Sequence, residues 1–399
     1  MLPPTRQEKK LWEICSLQNW YAFKSKEYVK YGFFVMRIKN VQKWYVNLSD
    51  PQYIPLDREN EFKKFILEEW DILVSLTGNI WRVWLITPTQ LPAVLNQRVG
   101  RIKLTDNNVD FSYLFHFLNS DLFENAMMVL GSWAAQKNIS LSAISDFSIP
   151  LPPLDIQKSI VAKLDDAIQS IDQSLSILDG NLSKLDALWQ SSLSESFDDP
   201  TRQEKPLWEV SEIIWGGTPK TWVSEYWENG DIFRTTPTDL WDIWEIIELT
   251  HTAKKITKLW LERSSAKLLP PWTVLFSSRA SIGKIAISKE FISTNQWFAS
   301  FVCWESLFNR YLTYCLVRFI PEITALSNST TFKEVSKWSI KDFKIPLPPL
   351  DQQKVIVAHL DEVSKHISTS KQAYQNQKDH LLELKASILH DAFSGKLFT

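Results

Sequence analysis

The residues able to do covalent or metal chemistry are dispersed along this chain. Its six histidines, at 116, 251, 359, 366, 380 and 390, show no ligand spacing, and the last four fall in one helical pattern. A solvated helix face accounts for those four better than a metal site does. Cys15, Cys303 and Cys315 are odd in number and contain no Cys-x-x-Cys pair, so buried free thiols are expected rather than zinc ligands or disulfides. Pro270-Pro271-Trp272 imitates the Pro-Pro-aromatic segment with which an amino-methyltransferase holds its target amine. The residue before it is Leu269, which has neither a carbonyl nor a carboxylate side chain, and no glycine-rich cofactor loop follows a strand. A P-loop and a carboxylate-lysine nuclease cluster are also missing from the sequence.

Binding chemistry is better represented. Lys24, Lys26, Lys30, Arg37, Lys39 and Lys43 alternate with Tyr21, Phe23, Tyr28 and Tyr31, and Lys254, Lys255, Lys258 and Arg263 form a second basic group. Such interleaving suits a polyanion, although an ordinary solvated face uses the same residues. The formal net charge of -2 confines any such footprint to local patches. An apolar fraction of 44% and a charged fraction of 23% are those of a globular protein, and 399 residues imply two or three domains. No apolar run reaches the length of a membrane span and the N-terminus lacks a signal-like core, so a cytoplasmic protein is expected.

An internal repeat organises these residues. Thr5-Arg-Gln-Glu-Lys-Lys-Leu-Trp-Glu-Ile14 and Thr201-Arg-Gln-Glu-Lys-Pro-Leu-Trp-Glu-Val210 agree at eight of ten positions, offset by 196. Ile149-Pro-Leu-Pro-Pro-Leu-Asp155 recurs unchanged at Ile345 to Asp351 with the same offset. Each unit is therefore a variable region followed by a proline-punctuated segment and a long helix. The spacing predicts a coiled-coil seam of Ile160, Leu164, Ala167, Ile171, Ser174, Leu178, Asn181, Leu185, Leu188 and Ser192. The matching seam is Ile356, Leu360, Val363, Ile367, Ser370, Tyr374, Gln377, Leu381, Leu384 and Ile388. Pro152-Pro153 and Pro348-Pro349 forbid helix before them, and Asp155 and Asp351 are placed as N-caps. Some forty residues make a rod of about 60 Å, and two rods packed antiparallel would hold the variable regions at opposite ends. Residues 70–86 and 272–287 each read as strand, turn, strand, and Asn96-Gln97 matches Asn295-Gln296. The expected fold is α/β, with two pseudo-repeated domains at 1–150 and 201–346. A central helix at 151–200 and a C-terminal helix at 347–399 form an antiparallel coiled coil.

The duplicated Ile-Pro-Leu-Pro-Pro-Leu-Asp-x-Gln-Lys openings, Gly216-Gly217-Thr218-Pro219 followed by Glu225-Tyr226-Trp227, the run from Leu275 to Lys284, and Thr294-Asn295-Gln296 together resemble the specificity subunits of type I restriction-modification systems. The resemblance covers essentially the whole chain. It implies that each variable region is a target-recognition domain for one half of a bipartite site in double-stranded DNA, and that the coiled coil sets the spacer. It also implies partners: two copies of an adenine methyltransferase subunit, and a restriction motor-nuclease subunit. S-adenosylmethionine, ATP and magnesium would belong to those partners, leaving this chain with no cofactor and no catalytic residue. Arg, Lys, Asn and Gln suit base edges, while Lys and hydroxyls suit the backbone. On that basis the candidate DNA contacts are Lys24, Lys26, Arg37, Thr77, Asn79 and Arg82 in the first domain, with Thr218, Lys220, Ser278, Arg279 and Lys284 in the second. Asn96, Gln97, Asn295 and Gln296, shared by both halves, read better as framework hydrogen-bonding groups. The rival classes are a methyltransferase or endonuclease enzyme, for which the motifs fail, and a coiled-coil adaptor, which leaves the two matched domains unexplained.

One feature of the composition stands apart: 19 tryptophans against 10 glycines, where glycine ordinarily supplies about 7% of a chain. Trp20 aligns with Gly216 and Trp81 with Gly283, while Trp84 faces Ala286. In the family the resemblance identifies, Trp70, Trp272 and Trp297 stand where glycine is usual, whereas Trp227 fits as tryptophan. These exchanges point to a gene in which UGA specifies glycine but has been read as tryptophan. A genuinely tryptophan-rich surface for base stacking is the competing account.

Overall fold

The computed structural model describes residues 7–18, 21–42, 45–77, 82–132, 140–218, 220, 222–240, 246, 248–327 and 333–394. The chain divides into two compact units, one made of residues 1–176 with 378–399 and the other of residues 177–377.

In the first unit, alternating β-branched and aromatic runs form three sheets. A ribbon pairs Gln7–Lys10 with Ser148–Leu151. A four-stranded antiparallel sheet has the order Cys15–Gln18, Val99–Leu104, Ile72–Ser75, Val83–Leu85. A smaller sheet sets Phe33–Met36 between the antiparallel Tyr53–Ile54 and the parallel Ala93–Leu95. The helix Phe111–Leu118, N-capped by Asp110, buries Tyr113, Leu114 and Phe117 against the four-stranded sheet.

The second unit repeats this plan. Its ribbon joins Glu204–Pro206 to Lys344–Pro346. Five strands take the order Ser211–Trp215, Phe298–Cys303, Val274–Ser277, Ile285–Ser288, Glu248–Leu249. The small sheet sets Ile232–Thr235 between the antiparallel Lys254–Ile256 and the parallel Ile292–Thr294. The expected strand-turn-strand segments are the hairpins of Ile72–Ser75 with Val83–Leu85 and of Val274–Ser277 with Ile285–Ser288.

The two long helices run Leu154–Phe197 and Leu350–Ser394. Each starts one residue before the expected cap, so Asp155 and Asp351 lie inside the first turn. There they act through their charge on the positive helix end rather than as N-caps. The anchoring group in each opening is the glutamine two residues further on. Gln157 is buried, donates from Nε2 to Pro152 O (2.8 Å) and Asn108 O (3.2 Å), and accepts at Oε1 from Asp110 N (2.8 Å). Gln353 repeats the set with Pro348 O (2.9 Å), Ser306 O (2.9 Å) and Phe308 N (2.8 Å).

Both units contain an antiparallel pair of helical segments. In the first, Lys385 reaches Asp172 at 2.6 Å, and in the second Lys371 pairs with Asp186. Each pair joins residues whose numbers sum to 557, so within each unit the two segments run antiparallel. Ile160, Leu164, Ile171, Leu178, Leu360 and Ile367 are buried as expected of a seam, and Leu185, Ile356, Val363 and Ile388 pack partly buried against the cores. Leu381 is half-buried. The seam departs from the expected positions elsewhere. Leu188 is 51% exposed while its neighbour Trp189 is buried, and Leu384 is 47% exposed while Lys385 is buried. Lys385 can be buried because its aliphatic stem packs while its ammonium meets Asp172.

The helix ends also close the cores. Phe393 sits at 5.2 Å from both Tyr113 and Phe117, and in the other unit Phe197 sits at 5.2 Å from Tyr311. His390, expected on a solvated face, is half-buried and bonds Asp121 at 3.0 Å. Cys15 and Cys315 are buried free thiols, and burial pushes the Cys15 thiol up to about 12. Among the described residues no helix is long and apolar enough to cross a membrane.

Candidate nucleic-acid interface

The small sheets give a residue-by-residue equivalence between the domains. Asn96 N donates to Met36 O, and Asn295 N donates to Thr235 O. Through the parallel ladders, Val35 beside Val94 is therefore the twin of Arg234 beside Ser293. Tyr21 N bonds Leu95 O as Gly217 N bonds Thr294 O, which makes Gly217 the twin of Tyr21, while Trp20 and Trp81 lie outside the described residues. The same bonds bear on Asn96 and Asn295, whose backbones tie the sheet together. Asn295 also accepts from Trp297 N at 3.1 Å.

In the second domain, the loop leaving Ser211–Trp215 crosses the ends of the parallel strands. A Cβ on Gly216 would stand 2.1 Å from Asn295 O and 2.3 Å from Thr294 O, so only glycine permits this crossing. The loop then presents Thr218 and Lys220, both exposed. Thr218 Oγ1 lies 3.4 Å from Arg234 Nη2, and Lys220 O accepts from Trp227 Nε1 at 3.3 Å. Lys284 donates from Nζ to Leu240 O at 2.8 Å, at the end of the turn that follows Arg234. Ser278 is buried and donates to Trp297 O, and Arg279 pairs with Glu334 at 3.4 Å. The structure thus has Thr218 and Lys220 on one loop and turns Ser278 toward the framework, while Arg279 keeps a part-exposed pair with Glu334.

In the first domain, Lys24 and Lys26 are exposed on the 3-10 turn at Ser25–Glu27. Glu27 holds that turn by accepting from Lys24 N at 2.6 Å and pairing with Arg58 at 3.1 Å, and these contacts keep its carboxyl below the usual range. Arg37 follows the central strand of the small sheet and lies 3.6 Å from Asp50, which also pairs with Lys39. Thr77 lies just beyond Ile72–Ser75, and Arg82 N donates to Ser75 Oγ at 3.1 Å. Among the described residues no hydrogen bond or ion pair joins Lys24 or Lys26 to Arg37. Asn79 lies outside the described residues.

The residue that sequence reading missed is Arg234. It is 4% exposed, its Nε has no hydrogen-bond partner, and its guanidinium lies 5.3 Å from the Trp227 ring. Beside it, Ser293 Oγ is likewise buried without a partner. Burial holds the guanidinium below its ordinary value, and Asp239 is the acidic group acting against that. The Asp239 carboxylate is itself bonded to Thr236 N and Oγ1, each at 2.8 Å. Lys254 is the cross-strand partner of Arg234.

Two matched α/β domains, with one backbone scaffold and different side chains at the same ladder positions, define a duplicated recognition protein. The model for the type I restriction modification DNA specificity domain matches residues 3–177 and 201–377, and the chain belongs to that family. The putative type I restriction enzyme MjaX specificity subunit of Methanocaldococcus jannaschii is 24% identical over 92% of this chain and 88% of its own length. The MjaIX specificity subunit of the same organism is 32% identical over 164 residues, 40% of this chain and only 38% of that protein. A chain solved in work on complex assembly and conformational transition of the type I R-M system shares the fold. It has a TM-score of 0.74 and 23% identity across 99% of both chains.

Proposed function

We propose that this chain is the sequence-reading, non-catalytic component of a type I restriction-modification complex. Each domain reads one half of a bipartite target in double-stranded DNA, and the paired helices set the spacer between the halves. Two copies of an adenine methyltransferase subunit act with S-adenosylmethionine at the site so chosen, and a motor-nuclease subunit with ATP and magnesium performs restriction. The complex works in the cytoplasm. The observation that carries this reading is the small sheet, whose three strands pair in the same order and sense in both domains while Val35 and Val94 are replaced by Arg234 and Ser293. One scaffold carrying different side chains is what two different half-sites require.

The test is to co-express the chain with its methyltransferase subunit and map methylated adenines by sequencing. Two short motifs separated by an unspecified spacer of constant length are expected. A single contiguous motif, or methylation without pattern, overturns the reading.

A further inference from the structure

We propose that Arg234 is a positioning residue that takes up a DNA backbone phosphate at the second half-site, together with Thr218 and Lys220. This rests on the reading of the second domain as a DNA reader. A charge as buried as Arg234 is ordinarily matched by a carboxylate with good geometry, because an uncompensated buried ion is strongly destabilising. Here its hydrogen-bond partner is a threonine hydroxyl at 3.4 Å, at the long limit of such a bond. Water can satisfy Nε but cannot neutralise the charge. Nor does the fold need a cation at this point, since its twin in the first domain is Val35, fully buried beside Val94. Among the described residues, the second domain therefore carries a buried cation with no hydrogen-bonded carboxylate, and an unpartnered Ser293 hydroxyl, where the first domain has two valines.

The surroundings select an anion as the missing partner. Lys220 and Thr218 stand exposed on the loop beside Arg234, and Lys254 lies across the strand. The Trp227 ring lies 5.3 Å from the guanidinium. A phosphate oxygen meeting Nη2 and Thr218 Oγ1 would supply the directly bonded anion that Asp239, whose carboxylate is bonded to Thr236, does not.

The experiment compares wild type, Arg234→Met and Arg234→Lys, each in complex with the methyltransferase subunit, for DNA affinity as a function of salt. Arg234→Met is expected to melt no lower than wild type, because an unbalanced buried charge has gone. Its affinity should fall by about tenfold to a hundredfold, equally on cognate and scrambled duplexes. The slope of log affinity against log salt should shrink by about one, and Arg234→Lys should recover most of that slope. Unchanged affinity and slope in a folded Arg234→Met complex would overturn the inference, as would a change in the methylated motif with the slope intact. Failure of the wild-type complex to bind a bipartite site would instead count against the functional reading itself.

A separate observation carries a second inference. Trp70 and Trp272 have φ of +71° and +70°, in the left-handed region that favours glycine. They are twins: Trp70 N donates to Ile86 O and Trp272 N to Ser288 O, each two residues before the matching strand. Trp70 is the third residue of a turn closed by Asp71 N to Glu68 O, and Trp272 follows Pro271, the arrangement in which a type II turn calls for glycine. Both indoles are more than half exposed, so neither is required by a core. The glycines opposite Trp20 and Trp81 are structurally demanded. Gly216 has no room for a Cβ, and Gly283 has φ of +98°. We infer that the natural protein carries glycine at 20, 70, 81 and 272, encoded by UGA.

Reading the four codons and measuring tryptic peptide masses from the native host decides this. UGA codons and glycine masses are expected at these positions, with Trp227 appearing as tryptophan from UGG. UGG at 70 and 272, or native peptides containing tryptophan there, overturns the inference. In recombinant chain, Trp70→Gly and Trp272→Gly should each raise the melting temperature by about 2 to 4 °C.

Discussion

Inserting four residues after Asn181 in the first long helix, matched by four at Asn376 in the second, is expected to lengthen the methylated spacer and leave both half-sites unchanged. The two positions face each other in the register that sums to 557, set by Asp172 with Lys385 and Asp186 with Lys371. A matched insertion keeps both ion pairs, whereas an insertion in one helix alone breaks the register on one side of it. Four residues add about one helical turn and about 6 Å. With base pairs stacked about 3.4 Å apart, the spacer should grow by one or two base pairs. Methylation mapping reads the result directly. Altered half-sites with the original spacer would show that the helices do not act as the ruler.

Replacing Gln353 by leucine should destabilise the second unit by about 3 to 5 kcal/mol. The side chain is fully buried and satisfies three backbone groups, Phe308 N, Ser306 O and Pro348 O, at 2.8 to 2.9 Å. Leucine fills similar volume but leaves all three without a partner, at about 1 to 3 kcal/mol each, partly relieved by relaxation. Hydrogen exchange localises the effect. The slowest amides of the second unit should exchange more than about a hundredfold faster, while those around Gln157 keep their protection. Gln353→Glu provides a control of shape. Its carboxylate would face two carbonyl oxygens, so its stability should recover as the pH falls and the carboxyl is protonated into a donor. A Gln353→Leu protein with undiminished protection would refute this role for the glutamine.

Much of the architecture was legible because duplication exposes it. The 196-residue offset marked both helix openings, and the family resemblance singled out Trp70 and Trp272, where φ proves to be positive. Features set by tertiary packing were not legible. Heptad counting placed Leu188 and Leu384 in the seam, yet both are exposed while their neighbours are buried: Trp189 packs on Tyr314 of the domain core, and Lys385 reaches Asp172 on the other helix. Composition marked Ser278 and Arg279 as contacts, but their bonds to Trp297 and Glu334 depend on segments distant in sequence. Arg234 escaped notice for the opposite reason. A strand reading Ile-Phe-Arg-Thr gives no sign that the arginine is buried beside Thr218, sixteen residues earlier in the chain. Its signal was the difference between twins, visible once the ladders aligned it with Val35.

The division of the chain into units also orders its biosynthesis. The second unit is one continuous stretch, residues 177–377, so everything its core needs has been synthesised by the time Gln377 is added. The first unit begins at the start of the chain but takes Leu389, Ala392 and Phe393 into its core. During translation the first domain therefore waits, with Tyr113 and Phe117 lacking the ring of Phe393, while the domain made after it can already be complete. The unit that is begun first is thus the one whose core is completed last along the chain.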